Sequence, residues 1–182
     1  MAWLNNIGRP QQSKRIPSVL TNDEVAGVLA QMDGINALLA RLLYGTGMRL
    51  MEGMRLRVKD VDFERHAVIV REAKGNKDRV VMLPRSLAPA LRLQMLAARA
   101  LWEADRQAQR GGVEVPHALD IKYPKVGSTW AWFRMFPSST LLVDPRSGVD
   151  RRHHSATMIH THVLKVAAGG TASQLDSIAF GT

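Results

Sequence analysis

Two groups of basic residues stand beside turn-forming glycines, and side chains of these types can meet phosphate oxygens. Arg49 follows Gly45-Thr46-Gly47 and stands three residues before Glu52, a spacing that puts both side chains on one face of a helix. Arginine presents a planar, permanently charged fork that matches phosphate oxygens. The plainer account of such a pair is a surface ion pair worth under about 1 kcal/mol. The second group is Lys74, Lys77 and Arg79 in Lys74-Gly75-Asn76-Lys77-Asp78-Arg79. Ala67 to Arg71 and Arg79 to Leu83 flank turn-forming residues, so this stretch is predicted to be a β-hairpin with a basic tip. A solvated tip would look the same in sequence.

Two further clusters have competing readings. His153, His154, His160 and His162, with Asp150 nearby, suggest a metal-binding module. The spacing suits a tetrahedral site poorly, because adjacent histidines point apart, and no cysteine is available to help. No metal or other cofactor is expected. Trp130, Trp132 and Phe133 lie close together, with Lys122 and Arg146 in the same region. Aromatic rings beside cations can form a platform on which unpaired bases stack, and they can equally form a small satellite core.

The elements that must position these residues follow from caps and periodicity. Residues 1–20, with Pro10 and Pro17, read as a linker or arm. Thr21 to Glu24 is a capping box opening a helix over 22–32, which Asp33-Gly34 ends. A second apolar helix runs from Ile35 to Tyr44 and a third, short one from Met48 to Leu56; Tyr44 is expected in the core. After the hairpin, Ser86 is expected to cap a long helix reaching Arg110, with Leu87, Leu91, Met95, Ala98 and Trp102 on one face. Residues 111–150 are broken by Gly111-Gly112 and four prolines and read as an irregular excursion with a short aromatic helix. The fold class is α+β, mostly helical with one hairpin or small sheet.

Composition narrows the partners. The chain has 182 residues, net charge +9 and pI ≈ 10.6, so it gathers phosphate by non-specific attraction. Absence of cysteine rules out a disulfide framework within this sequence and a thiolate metal site. No apolar run approaches the roughly 18 residues of a membrane span, so no membrane partner is expected.

Taken in order, Gly45-Thr46-Gly47-Met48-Arg49-Leu50-Met51-Glu52 and the Lys74 hairpin resemble the arginine box and β-hairpin of the tyrosine recombinases, or phage integrases. The run from Pro17 to Pro89 is similar to the integron integrases throughout. Lys122-Tyr123-Pro124, Trp130-Ala131-Trp132-Phe133 and Asp144 to Val149 are similar to their added segment. The resemblance implies site-specific DNA recombination by transesterification. Arg49 would hold the scissile phosphate, Glu52 would steady Arg49, and Lys74 would act as general acid toward the leaving oxygen. Lys77, Arg79, Lys122, Trp130, Trp132 and Arg146 would contact DNA. The implied partners are double-stranded sites and folded single-stranded cassette sites, with self-association on DNA, in a bacterial cytoplasm.

The chain also departs from that family. After Arg152-His153-His154 it passes almost at once to Ala156-Thr157-Met158-Ile159-His160-Thr161-His162-Val163-Leu164-Lys165-Val166, which resembles the block around the family's nucleophile. No His-x-x-Arg box, the carrier of the second arginine, occurs in the chain, and His160 stands at the position of the nucleophilic tyrosine. Without a phenolic oxygen no phosphotyrosyl link can form. The domain reading is therefore an arm over 1–20, a partial catalytic domain over 21–168 with its insertion at about 111–150, incomplete toward its C-terminal part, and a disordered tail over 169–182. The expected chain is a truncated, DNA-binding, cleavage-incompetent fragment. The alternatives are the histidine metal module and a non-catalytic partner of full-length integrase.

Overall fold

A computed structural model describes residues 20–73, 77–144 and 148–153. Lys74, Arg146, His154, His160 and His162 therefore lie outside the described residues, as do the expected arm and tail.

The chain opens with three helices, α1 (Asn22–Ala30), α2 (Gly34–Thr46) and α3 (Leu50–Met54). The capping box at α1 forms as expected. Glu24 N–H donates to Thr21 Oγ1 at 3.3 Å, and Thr21 N–H donates to Glu24 Oε2 at 2.8 Å. α1 is two residues shorter than predicted. α2 runs on to Thr46, so the expected Gly45-Thr46-Gly47 turn shrinks to Gly47 alone, in the left-handed region at φ 65. Thr46, the last residue of α2, donates its Oγ1 back to Leu42 O at 2.6 Å, a bond that helical geometry allows. Tyr44 is buried, and its hydroxyl donates to Asn22 Oδ1 at 3.1 Å, tying α2 to the start of α1.

Next comes an antiparallel sheet in the order β1 (Val61–Asp62), β2 (Ala67–Ala73), β3 (Lys77–Met82). Val68 and Val70 are buried on one face, while Val80 and Met82 of β3 are exposed. The hairpin is thus where the sequence places it, but β3 starts at Lys77, so Lys77 and Asp78 belong to the strand rather than to the turn. β1 was not foreseen, because two residues carry no period.

The long helix α4 (Ala88–Gln107) starts later than predicted. Ser86 sits inside a 3-10 turn over Arg85–Leu87, so it is not the N-cap. Pro89 supplies the reason, since its fixed φ suits the first turn of a helix. Leu91 and Ala98 are fully buried, and Met95 and Trp102 pack beside them, as the stripe predicts.

The excursion contains α5 (His117–Lys122), two 3-10 turns including Trp130–Trp132, and a small pair β4 (Leu142–Val143) and β5 (Asp150–Arg151). It folds back onto the three-helix region. Val58 N–H donates to Phe133 O at 3.0 Å and Met135 N–H to Leu56 O at 2.8 Å, with Arg57 opposite Arg134. Phe136 and Met135 enter the main core with Leu42, Leu83 and Leu91. Phe133 joins a second core with Val58, Ala98 and Val113. At Gly112 an added Cβ would lie 2.6 Å from Gly127 O, so the pair of glycines that reads as a helix breaker is also needed for close backbone approach.

Candidate functional site

The geometry around Arg49 is set by chain ends. Gly47 closes α2 in a conformation other residues rarely adopt, Met48 is buried beneath it, and Arg49 is the extended N-cap of α3. Glu52, three residues on, accepts from Arg49 N–H at 2.8 Å, which satisfies one of the orphan donors of the helix start. Arg49 Nη1 donates to Glu52 Oε1 at 3.0 Å while its side chain stays 60% exposed.

The second partner of Glu52 comes from the sheet. Arg79, on β3, donates Nη1 to Oε1 at 3.0 Å and Nη2 to Oε2 at 2.8 Å, a two-pronged ion pair. Both guanidinium groups thus converge on one carboxylate. The hydrogen bonds from Arg79 hold the Glu52 carboxyl at about 2, against burial that would raise it and with further help from Arg49. Held that low, Glu52 is a fixed anion and no proton carrier at neutral pH. The same contact raises Arg79 above its ordinary value.

The sequence pairs Arg49 with Glu52 but does not link either to Arg79. The hairpin and the arginine turn are 27 residues apart, and nothing local reports the contact. A second unforeseen link is Arg71 on β2. Its Nε donates to the buried Asp60 at 3.0 Å and its Nη1 to Asp78 at 2.9 Å, which holds the hairpin against the segment after α3. Lys77 is exposed at the start of β3. Of the expected site residues, then, Arg49, Glu52 and Arg79 come together and Lys77 lies on the strand that carries Arg79.

The other expected contacts lie in the excursion. Trp130 packs against the second core. Its ring is 5.9 Å from Trp102 edge-on and 6.1 Å from Phe133 in a stack, with the Arg99 guanidinium at 5.1 Å. Trp132 also packs there, with Lys59 Nζ at 3.2 Å and the Arg57 guanidinium at 4.3 Å from its ring centre. Of the two sequence readings for these rings, the satellite core accounts for these contacts, although both remain partly exposed. Lys122 is exposed at the end of α5.

Arg152 carries no role in the sequence reading, where it only marks the point at which the chain departs from the family. It is buried, with Nε and Nη2 on the two oxygens of Asp105 at 2.7 and 2.8 Å, and Nη1 on Ser138 O and Ser139 O at 2.7 and 2.9 Å. Arg110 adds a bond to Asp105 Oδ1 at 2.9 Å. This cluster is structural in geometry, since it fastens the end of α4 to the returning arm of the excursion. Among the described residues no group of three or more acidic or histidine side chains could hold a metal, and His153 alone of the four candidate histidines is described.

The comparisons agree with these landmarks. Residues 18–109, which include Arg49, Glu52 and the hairpin, match the model of the Phage integrase family. Two proteins named "Integrase/recombinase", from Escherichia coli and Pseudomonas aeruginosa, are each 42% identical over 233 residues, taking in 98% of this chain and 69% of theirs. Tyrosine recombinase XerA of Thermococcus kodakarensis is 33% identical over 136 residues, or 60% of this chain and 48% of its own length. A crystal structure of a XerA recombinase is 30% identical with a TM-score of 0.37, covering 46% of this chain and 31% of that one. With a family match over half its length and close relatives across nearly all of it, this chain belongs to the phage integrase family, the site-specific tyrosine recombinases.

Proposed function

We propose that this chain is a partial recombinase catalytic domain of the integron type that holds DNA without cleaving it. The observation that carries the reading is the Arg49–Glu52–Arg79 cluster. An exposed guanidinium is fixed in place at a helix start by a carboxylate that a second arginine keeps charged. Such a fixed cation suits a phosphate, and preorganised charge is what a phosphoryl-transfer site needs. Lys74, Lys77 and neighbouring basic groups on the hairpin would extend the contact, and Lys122, Arg146, Trp130 and Trp132 would add to it from the excursion.

The cleavage-incompetent half of the proposal rests on the sequence. His160 occupies the nucleophile position, and no His-x-x-Arg box is present. The 233 matched positions in the E. coli relative exceed the whole length of this chain, so the relatives carry positions inside the match that have no counterpart here. That supports an internal loss, which the sequence reading puts between His154 and Ala156; residues 21–168 would then be a partial domain between an arm and a tail. Action in a bacterial cytoplasm and self-association on DNA belong to the same proposal. Among the described residues no helix is long and apolar enough to cross a membrane.

Two measurements test it. Fluorescence anisotropy at physiological salt should show tighter binding to a hairpin-folded cassette-type site than to a scrambled strand of equal length, with Arg49→Ala weakening both. Incubation with a nicked DNA substrate, followed by denaturing electrophoresis, should give no covalent adduct. A trapped adduct refutes the cleavage-incompetent reading, and equal, steeply salt-sensitive binding to both strands refutes the structure-reading part.

A further inference from the structure

The segment after α3 reads Arg55-Leu56-Arg57-Val58-Lys59-Asp60, a strict alternation of cationic and buried residues. Leu56, Val58 and Asp60 are buried, whereas Arg55 and Lys59 are exposed and Arg57 is half-buried. Arg55 is the right-handed C-cap of α3, Arg57 is extended and Val58–Asp60 form a 3-10 turn, so the three cations follow one another along a bend of the chain. The excursion completes the arrangement by running antiparallel to the segment, with Arg134 opposite Arg57. Arg134 is buried, and its Nη1 donates to Arg55 O at 2.8 Å. Its charge is therefore close to those of Arg57 and Arg55.

We infer that the outward face of residues 55–59, underlain by Arg134, is a second track for a DNA phosphodiester backbone, distinct in its residues from the Arg49–Glu52–Arg79 cluster. The inference rests on the reading that the chain binds DNA, and it adds where a further stretch of backbone lies. Three cations within five residues suit neighbouring phosphates of a nucleic-acid backbone. Trp132 lines the track and holds Arg57 and Lys59 against its ring, which limits their motion before a ligand arrives.

Burial, followed by the charges of Arg57 and Arg55, brings the Arg134 guanidinium down to about 10, with Glu114 and Asp60 opposing. Burial also lowers Lys59, and the Arg57 and Arg71 charges add to the effect against the pull of Asp60. Asp60 is moreover already engaged by Arg71. A bound phosphate would relieve the repulsion.

The test compares two double variants of the full chain, each losing two positive charges. Arg55→Gln/Lys59→Gln strips the track. Arg65→Gln/Arg99→Gln removes charges from elsewhere on the surface, each of which already has an acidic neighbour. Anisotropy on a short fluorescein-labelled duplex is read across a salt series, with thermal unfolding as a check on folding. The track variant should reduce the slope of log affinity against log salt by about 2 and weaken binding roughly tenfold or more at low salt, while the control changes the slope by under about 0.5. If the track double unfolds, Arg55→Gln alone, whose side chain is exposed, should lower the slope by about 1. Equal weakening by the two doubles, or an unchanged track variant, overturns the track. In that case binding that still depends on Arg49 leaves the broader DNA-binding reading standing. Wild-type chain that binds no DNA overturns both.

Discussion

At the scale of single residues, Glu52 is the group on which the arginine cluster depends. Its side chain is 9% exposed and accepts from two guanidinium groups and one backbone N–H. Its folded value of about 2 lies below the ordinary 4.5. A depressed carboxylate contributes stability that is fully present above its unfolded value and is lost as pH falls through the folded one. The shift corresponds to a contribution on the order of 3 kcal/mol, an upper bound given the solvent near Arg49. Glu52→Gln should therefore lower stability at pH 7 by about 2 kcal/mol and flatten the decline in stability between about pH 4.5 and 2. Urea unfolding of both proteins over pH 2 to 6 measures this. A variant with the same acid slope as the wild type would mean that Glu52 is not the group being titrated.

At the scale of elements, the excursion is held to α4 by a buried ion pair. Burial pushes the Asp105 carboxyl up, but hydrogen bonds from Arg152 and Arg110 and their charges bring it below the ordinary carboxylate range. Removing one partner from a buried pair leaves the other charge stranded, which typically costs 3–5 kcal/mol. Arg152→Ala should cost about that, because it also abandons the carbonyls of Ser138 and Ser139. The double variant Asp105→Ala/Arg152→Ala should cost clearly less than the sum of the single ones, and a double-mutant cycle by urea unfolding reads the difference. Additive losses would show that the two residues act separately.

This element scale is also where sequence reading reached its limit. The Thr21–Glu24 cap, the apolar stripe of α4 and the hairpin were legible because each has a local period or a fixed offset. Arg49 with Glu52 was legible for the same reason, being one helical turn apart. Arg79 meeting Glu52 and Arg152 meeting Asp105 were not, because such contacts arise from packing between elements with no shared period. Ser86 was misread because a good cap residue was overruled by Pro89, which fixes the first turn of α4 two residues later. Within the excursion, prolines and glycines announced irregularity correctly but could not reveal that residues 133–135 pair with residues 56–58.

At the scale of the whole molecule, the question is whether this chain could cut DNA. On the proposed reading, one local change, His160→Tyr, would put a phenol at the nucleophile position. It should nonetheless give no covalent adduct on a nicked substrate. The phenol would still lack the second arginine of the His-x-x-Arg box, and loss of a single preorganised donor to a developing charge typically costs 10²–10³ in rate. It would also lack the stretch that the matched span of the relatives contains and this chain does not, and in-line attack tolerates little error in placement. Arg79 cannot readily replace that arginine, because both of its terminal nitrogens are already committed to Glu52. Denaturing electrophoresis of His160→Tyr with labelled nicked DNA checks this. An adduct band would show that Arg79 can leave Glu52 to clamp the phosphate beside Arg49, and Arg79→Gln should then abolish it.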